Sequence, residues 1–253
     1  MQNLHVQVIN LDRSKDRLNR ITKDLSDQNI VFTRLVATDG RALTKSDLNY
    51  YASLRCLLFY GRHLSNGEIG CFRSHQRAAK LFLQSGQEMG LVLEDDAEIP
   101  ADLWRTLGQL IGQIRKSADP RWELVNLGNA PKNAKHCVPL SEVTPGCALV
   151  RAKVFPKRTT SLLWSRRGAR RFLEETRHIC APVDQHLHSV LSLRESGLAT
   201  IPPLIPHASL PSEINNEPDA AIVRQVANPS AWYRFRRMMR KRAARRDRSP
   251  VGS

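Results

Sequence analysis

The sequence predicts an α/β domain built around a mostly parallel sheet. Residues 5–10 alternate polar and apolar side chains as a strand does, a charged amphipathic helix follows at about residues 14–28, and a second strand follows at residues 31–36. Strand, helix and strand at this spacing open an α/β fold with parallel strands. A third apolar strand, residues 90–93, runs directly into Glu94-Asp95-Asp96.

The middle of the chain contains a helix whose two ends are marked in the sequence. A short helix is expected before it, at residues 44–51. Ser65 and Glu68 then have the spacing of a capping box, in which each side chain accepts from the other residue's backbone N–H group. Apolar residues recur at helical intervals after this cap, and Gly86 is a suitable stop. The pattern therefore predicts a helix over residues 65–85.

The second half of the chain continues with strand and helix patterns. The predicted helices cover residues 101–116, residues 166–176 and a segment starting at Pro182, a residue suited to a first helical turn. The predicted strands are short apolar runs at residues 122–127, 147–151, 161–164 and 199–205. Residues 128–145, which contain three prolines, and residues 207–218 are predicted to be loops.

The composition is that of a globular protein with a strongly basic end. The chain has 253 residues and is 41% apolar, which suits one large domain or a domain with a tail. No apolar run reaches the length of a membrane helix, and we expect no secretory signal because the amino terminus lacks a basic stretch followed by a long apolar run. Five cysteines without a CxxC pair favour a reducing cytosol.

The net charge of +15 is concentrated near the carboxyl end. Residues 232–248 contain nine Lys or Arg and one Asp, which gives +8 for that segment alone. We therefore divide the chain into a domain at residues 1–228 and a basic tail at residues 229–253. Trp232, Phe235 and Met239 have helical spacing, which is typical of an amphipathic helix on an anionic membrane. A solvated basic tail is the alternative.

The acidic triplet at residues 94–96 is the strongest indication of chemistry. Three carboxylates at the end of one strand repel each other, and a divalent cation would relieve that repulsion. Mg²⁺ and Mn²⁺ prefer oxygen ligands and bind phosphate oxygens together with one or two carboxylates. The alternative is a solvated acidic turn before the next helix, because Pro100 and Asp102 are typical of a helix start.

Seven motifs occur in an order that points to one family. They are Val8-Ile9-Asn10-Leu11-Asp12-Arg13 with Asp16-Arg17, Ala37-Thr38-Asp39-Gly40, Leu64-Ser65-Asn66-Gly67-Glu68-Ile69-Gly70-Cys71 with Ser74-His75, Leu91-Val92-Leu93-Glu94-Asp95-Asp96, Ser165-Arg166-Arg167-Gly168-Ala169, Pro182-Val183-Asp184 and Pro202-Pro203-Leu204. This series, over roughly residues 6–215, resembles glycosyltransferase family 25, the bacterial lipopolysaccharide and lipooligosaccharide enzymes related to collagen galactosyltransferases. Residues 158–164 depart from the family pattern, and we expect them to face substrate.

The resemblance implies a GT-A-like, Rossmann-type domain that binds a nucleotide sugar, commonly UDP-galactose, with Mn²⁺ or Mg²⁺ and inverts the anomeric carbon. In this interpretation Asp95 and Asp96 bind the metal, with His207 as a third ligand or a diphosphate contact. Asp184 is the candidate general base, although an acid at a helix start also complements the helix dipole. Glu68 has the same ambiguity, because the capping box already explains it.

The remaining candidates lie on the nucleotide side of the expected crevice, beyond the ends of the first strands. The candidate donor-binding residues are Asn10, Asp12, Arg13, Arg17, Asp39, Gly40, Glu68 and His75. Arginine pairs with phosphate in a bidentate manner, which favours Arg13 or Arg17 for the diphosphate. An ordinary turn at Asp39 and Gly40, and a structural histidine at His75, are the alternatives.

Three classes of function remain open at this point. A metal-dependent inverting glycosyltransferase would act on an oligosaccharide or lipid-linked glycan, at the cytoplasmic face of the membrane, as a peripheral protein bound through its basic tail. A nucleic-acid-binding protein would explain the pI of 10.2, but the charge is concentrated in one tail and no nucleic-acid-binding motif is visible, so we expect no nucleic-acid partner. A catalytically silent scaffold of the same fold is the third class.

Overall fold

The computed structural model describes residues 3–117 and 120–208, which form an eight-stranded sheet with helices on both faces. The strands are β1 Leu4–Asn10, β2 Thr33–Val36, β3 Met89–Glu94, β4 Leu124–Asn126, β5 Cys137–Thr144, β6 Cys147–Ala152, β7 Ser161–Ser165 and β8 Gly197–Ile201. The helices are α1 Lys15–Ser26, α2 Lys45–Leu48, α3 Ser53–Phe59, α4 Asn66–Gln84, α5 Leu103–Ser117, α6 Arg166–Glu175 and α7 Val183–Arg194. Short 3₁₀ turns lie at Gly40–Ala42 and Ala134–His136.

The sheet has the strand order β2-β1-β3-β7-β4-β8-β6-β5. The pairs β1–β2, β1–β3 and β4–β8 are parallel, while β7 runs antiparallel to both β3 and β4, and β6 runs antiparallel to both β8 and β5. Six strands thus share one direction, as a mostly parallel sheet requires, and β6 and β7 make the pairing mixed. The carboxyl ends of β1, β2 and β3 therefore lie side by side, at the same end of the parallel strands.

Two apolar layers hold the helices against the sheet. Val6 and Val8 of β1 point to the layer that contains α1 and α5, whereas Ile9 points to the layer that contains α4, α6 and α7. This alternation follows from the two-residue period of a strand. Because both faces are covered, β3 is a nearly continuous buried apolar run, with all residues from Met89 to Leu93 buried.

Local signals predicted the start of the long helix. Ser65 accepts a hydrogen bond from the N–H of Glu68, and the Glu68 side chain accepts from the N–H of Ser65, so the capping box is confirmed. The helix α4 ends at Gln84, two residues before Gly86, whose φ of +75° supports the predicted stop.

The prediction of a loop over residues 128–145 was wrong in its second half. The segment Cys137–Thr144 is β5, which pairs antiparallel with β6 across a turn at Gly146. Pro139 fits there because β5 is the edge strand of the sheet, and the pairing shifts register next to it. The short helix α3 was not predicted, and the last strand is β8, which begins and ends earlier than expected.

The predicted tail at residues 229–253 lies outside the described residues. Among residues 3–117 and 120–208, no helix combines the length and the apolar character that crossing a bilayer demands. All five cysteines are free thiols.

Candidate active site

A cleft opens beyond the carboxyl ends of β1 and β3, against the first turns of α4. Its lining comes from these three elements, the start of α1 and the loops after β1, β2 and β3. The lining residues are Ile9, Leu11, Arg13, Arg17, Ala37, Thr38, Gly40, Gly67, Cys71, Ser74, His75, Glu94, Asp95 and Asp96. Six of the predicted site residues are among them, namely Arg13, Arg17, Gly40, His75, Asp95 and Asp96. This is the position at which open α/β sheets bind ligands.

Glycines bring the wall of the cleft close to α4. A β-carbon on Gly40 would lie 2.6 Å from the backbone nitrogen of Gly67, and one on Gly70 would lie 2.5 Å from the carbonyl oxygen of Thr38. Only glycine fits at such backbone-to-backbone distances. Gly40 therefore has a packing role that fixes the loop after β2 against the start of α4.

Asp95 is held by the protein through both carboxylate oxygens. The Asn10 side chain donates to its Oδ2 at 2.7 Å, and Arg17 donates to its Oδ1 at 3.2 Å. Arg20 donates to the backbone oxygen of the same residue at 2.9 Å. Burial nevertheless raises the pKa of Asp95. Asp95 and Asn10 thus belong to a buried network that joins β3 to α1, and binding of a metal by Asp95 stays a prediction.

Asp96 has the opposite character. Its Oδ1 is buried and accepts no hydrogen bond from the described residues, and its Oδ2 lies 3.2 Å from Nδ1 of His207. Burial, followed by repulsion from Glu94 and Asp95, raises its pKa to about 7. A carboxylate with a buried, unsatisfied oxygen lowers the stability of the folded protein unless a cation or a proton compensates it.

His207 is brought to this point by backbone pairing. An isolated antiparallel bridge joins it to Ala97, and the N–H of Ala208 donates to the carbonyl oxygen of Asp96 at 2.8 Å. Burial lowers the pKa of His207, which favours the neutral imidazole that metals bind. The predicted proximity of Asp96 and His207 is therefore present in the structure.

Glu94 belongs to a second network on the other side of β3. His75 Nε2 lies 3.0 Å from its Oε1, and the hydroxyl of Thr159 donates to the same oxygen at 2.6 Å. Burial alone would raise the pKa of Glu94, but the hydrogen bonds from His75 and Thr159 outweigh it and lower the pKa. His75 is 1% exposed and lies on the buried face of α4, where it fixes the position of the Glu94 carboxylate.

Cys71, His75 and Glu94 also have ligand atoms within 4.8 Å of one another. Burial and the nearby carboxylates of Glu94 and Asp184 raise the pKa of the Cys71 thiol well above its usual value, so it stays protonated. A protonated thiol is no ligand for Mg²⁺ or Mn²⁺, which prefer oxygen. Asp96 with its unsatisfied oxygen fits such a cation better. Cys71 is not among the predicted site residues, although its i, i+4 spacing from His75 indicates a shared helix face.

The nucleotide-side candidates divide into two groups. Arg13 lines the cleft and forms an ion pair with Asp39, which also accepts from the N–H of Arg41 and starts the 3₁₀ turn. Burial by itself would raise the pKa of Asp39, but the bonds from Arg13 and Arg41 outweigh burial and lower this pKa. Asp12, in contrast, is 70% exposed in its side chain and pairs with Arg34 at 2.6 Å, away from the lining of the cleft. Contact between Asp12 and the donor stays a prediction.

Glu68 is engaged in structural contacts. Besides closing the capping box, its two oxygens accept from Arg62 at 2.6 and 2.8 Å. Arg62 also donates to the hydroxyl of Tyr60 at 3.2 Å. With both oxygens occupied, Glu68 anchors the segment before α4 and is a weaker candidate for a base than Asp184.

Asp184 lies in the first turn of α7, as predicted from Pro182. The backbone N–H groups of Gln185 and Arg158 donate to it, yet burial dominates and raises its pKa. It is close enough to Cys71, a residue of the cleft wall, to raise the pKa of that thiol. A carboxylate of raised pKa beside a cleft is suited to general base chemistry.

Residues 158–164 do not face substrate as a unit. The segment Ser161–Ser165 is β7, a buried central strand, and its residues Ser161 to Trp164 are at most 2% exposed. Only the residues before β7 reach the cleft region, where Thr159 contacts Glu94. A strand between β3 and β4 is covered on both faces, which accounts for the apolar residues Leu162 to Trp164.

Comparison with known proteins gives a family for this arrangement. A family model described as glycosyltransferase family 25 (LPS biosynthesis protein) matches residues 3–187. Procollagen galactosyltransferase 2 of Mus musculus is 36% identical over 133 residues, which are 51% of this chain and 21% of the mouse protein. Procollagen galactosyltransferase 1 of Danio rerio is 30% identical over 188 residues, 72% of this chain and 30% of the zebrafish protein.

Two further relatives mark the range of the similarity. A protein of Bos taurus named probable inactive glycosyltransferase 25 family member 3 is 29% identical over 188 residues, 72% of this chain and 31% of its own length. The crystal structure of a glycosyltransferase involved in the glycosylation of the major capsid of PBCV-1 aligns with 74% of this chain and 75% of its own, at 12% identity and a TM-score of 0.40. The chain spans about a third or less of the length of these three relatives of known sequence. The match over residues 3–187 shows that the chain belongs to glycosyltransferase family 25.

Proposed function

We propose that the chain is a metal-dependent, inverting glycosyltransferase of GT-A-like fold that moves a hexose, galactose from UDP-galactose, onto a lipopolysaccharide or lipooligosaccharide glycan. The observation that supports this most strongly is Asp96. Its buried Oδ1 lacks a partner among the described residues, and it lies next to two further carboxylates in a cleft that Arg13 and Arg17 also line. Such a carboxylate calls for a cation.

Asp96 and His207 are the residues that would hold Mn²⁺ or Mg²⁺. When bound, the metal neutralises the charge that develops on the diphosphate leaving group. Asp95 positions Asp96, because the hydrogen bonds that Asp95 accepts from Asn10 and Arg17 fix the turn that carries Asp96. Arg13 and Arg17 add positive charge to the same side of the cleft, where a diphosphate would lie.

Asp184 is proposed to take the proton from the acceptor hydroxyl as that oxygen attacks the anomeric carbon. Its raised pKa makes the carboxylate a stronger base than an exposed aspartate. Asp184 lies in the first turn of α7, whereas the proposed metal ligands Asp96 and His207 lie after the end of β3 and after β8. The acceptor would therefore bind between these two sides of the cleft.

The test is release of UDP from UDP-galactose in the presence of an oligosaccharide acceptor, with Mn²⁺ and with EDTA. Asp184→Asn is expected to lower kcat by about 10²–10⁴-fold with little change in the KM for UDP-galactose. Asp27→Asn, an exposed acid paired with Lys23 near the end of α1, is the matched control and should keep full turnover. Metal-independent turnover, or an unchanged kcat for Asp184→Asn, would contradict the proposal.

We further propose that the tail at residues 229–253 holds the protein at the anionic inner face of the cytoplasmic membrane, where a lipid-linked acceptor is displayed. The nine basic residues between residues 232 and 248 support this, since each basic residue near such a surface contributes about 1 kcal/mol. No nucleic-acid partner is proposed, because about half of the net charge, +8 of +15, lies in this one segment.

A further inference from the structure

A second cavity lies at the amino ends of the parallel strands, opposite the cleft at their carboxyl ends. Glu123 and Ser196, the residues before β4 and β8, lie at its base, and it encloses about 430 Å³. Small-molecule sites occupy about 300–1,000 Å³. Because β4 runs in the same direction as β1 and β3, the amino end of β4 and the carboxyl end of β3 are at opposite edges. The two sites are therefore separated by the strands themselves.

Arginines from four separate parts of the chain converge on this cavity. The lining arginines are Arg121 before β4, Arg151 in β6, Arg167 and Arg171 of α6, and Arg194 at the end of α7. The acidic lining residues are Glu123 and Glu195, so five positive and two negative side chains leave a net charge of +3. Arg151 reaches this edge because it pairs in register with Leu198 at the start of β8.

A buried carboxylate positions two of the guanidinium groups. Glu123 is 3% exposed and accepts from Arg171 at 2.7 Å and from Arg194 at 3.2 Å. Arg194 also pairs with Glu175. A guanidinium carries five N–H donors, and these acids accept only part of them. Arg171 and Arg194 are thus held in place with donor capacity remaining.

A buried hydroxyl in the same cavity lacks a partner. Ser196 is 9% exposed, and its Oγ forms no hydrogen bond with the described residues. Leaving such a group unsatisfied is unfavourable for the folded protein. An oxygen-rich ligand in the cavity would accept a hydrogen bond from this hydroxyl, which gives an indication of a ligand that is independent of the charge.

We propose that this cavity binds a small anion that carries two or more adjacent phosphate groups, at a site separate from that of the sugar donor. Guanidinium groups bind phosphate in a bidentate manner, and several phosphates balance a net charge of +3 better than one carboxylate does. A free polyphosphate and the phosphorylated headgroup of a lipid present the same chemistry to the cavity, and the experiment distinguishes these two sources. The proposal does not depend on the transfer reaction.

The experiment is calorimetric titration of the full chain with inorganic tripolyphosphate in EDTA, so that no divalent cation bridges the phosphates. Arg151→Gln and Arg167→Gln remove charges from the lining, and each is expected to weaken binding roughly tenfold. Arg170→Gln is the matched control, because Arg170 is exposed on the same helix but is not a lining residue. It should bind like the unchanged protein, since both retain the basic tail.

Ser196→Ala separates a ligand contact from a structural one. It is expected to weaken tripolyphosphate binding severalfold while leaving the thermal stability of the ligand-free protein unchanged or higher, because it removes an unsatisfied group. Sedimentation with phosphatidylcholine vesicles that contain phosphatidylinositol 4,5-bisphosphate, a headgroup with two adjacent phosphates, distinguishes the sources. Because every variant retains the basic tail, the affinities are compared: weaker vesicle binding by Arg167→Gln than by Arg170→Gln points to a lipid headgroup, and equal vesicle binding points to a free polyphosphate. Equal binding of tripolyphosphate by Arg151→Gln, Arg167→Gln and Arg170→Gln, or no saturable binding, would overturn the proposal. Because the titration uses neither donor nor metal, that failure would leave the proposed transfer reaction intact.

Discussion

Replacing Asp96 by asparagine should stabilise the metal-free protein while removing its response to metal. In the folded state, burial and the neighbouring Glu94 and Asp95 raise the pKa of Asp96 from its ordinary 3.8 to about 7. Keeping this carboxylate ionised at pH 8 therefore costs the folded state up to about 4 kcal/mol. Asparagine has nearly the same shape and no charge, so Asp96→Asn avoids that cost.

The pH dependence fixes the sign of the effect. Below about pH 4 the carboxyl is protonated in both the folded and the unfolded protein, so the penalty is absent. Between pH 4 and pH 7 the unfolded chain releases the proton and the folded protein retains it, so stability falls as pH rises. Above the folded-state pKa of about 7 the penalty is complete. The advantage of Asp96→Asn at pH 5.5 should be roughly half of that at pH 8.

The assay is thermal unfolding in EDTA and in excess Mn²⁺ at both pH values. In EDTA at pH 8, Asp96→Asn should raise Tm by on the order of 10 °C. At a hundredfold excess over Kd, Mn²⁺ should stabilise the unchanged protein by about 2.7 kcal/mol and so raise its Tm. The Tm of Asp96→Asn should not respond to Mn²⁺. A lower Tm for the variant in EDTA at pH 8, or an undiminished Mn²⁺ response, would refute the argument.

Asp95→Asn is the informative comparison for this variant. Both oxygens of Asp95 accept hydrogen bonds, from Asn10 and from Arg17. An amide in either orientation places its NH₂ group against one of these donors. We therefore expect Asp95→Asn to lose stability, although the two substitutions are chemically identical and adjacent.

Three further predictions concern the surroundings of the cleft. Glu68→Gln should lower stability by about 2–3 kcal/mol, measured by urea unfolding, because it breaks the bidentate pair with Arg62; a stable variant that has lost only turnover would instead favour Glu68 as the base. Gly40→Ala should cost about 1–3 kcal/mol, since its β-carbon would lie 2.6 Å from the nitrogen of Gly67, and Gly112→Ala, where nothing lies within 4 Å, is its control. Removing residues 229–253 should abolish sedimentation with anionic liposomes and spare turnover of a short soluble acceptor; loss of that turnover would contradict the role of the tail.

The elements that the sequence predicts correctly are those whose causes are local. The capping box of Ser65 and Glu68 is closed by two residues three positions apart, and the β1-α1-β2 unit follows from periodicity alone. β5 was missed because a proline usually excludes a strand, and only the position at the sheet edge, which depends on distant pairing, allows Pro139 there.

The candidate site was predictable in location but not in the division of roles. The strand end and the acidic triplet locate the cleft, yet adjacent carboxylates cannot be told apart by sequence. Asp95 turns to Arg17 of α1 and Asp96 turns to His207, and both partners are set by tertiary packing. The exposure of Asp12 has the same origin, because Arg34 of β2 pairs with it outside the cleft.

The two edges of the sheet have opposite charge, and this has a consequence for how each would bind phosphate. At the carboxyl edge the carboxylates of Glu94, Asp95 and Asp96 lie together, so an anion there needs a cation between it and the protein. At the amino ends of the strands the arginines around Glu123 would contact the proposed anion directly. Removing divalent metal should therefore abolish UDP binding and leave tripolyphosphate binding unchanged, whereas high salt should weaken binding at the arginine cavity first, because direct charge–charge contacts at a solvent-accessible site are screened by salt.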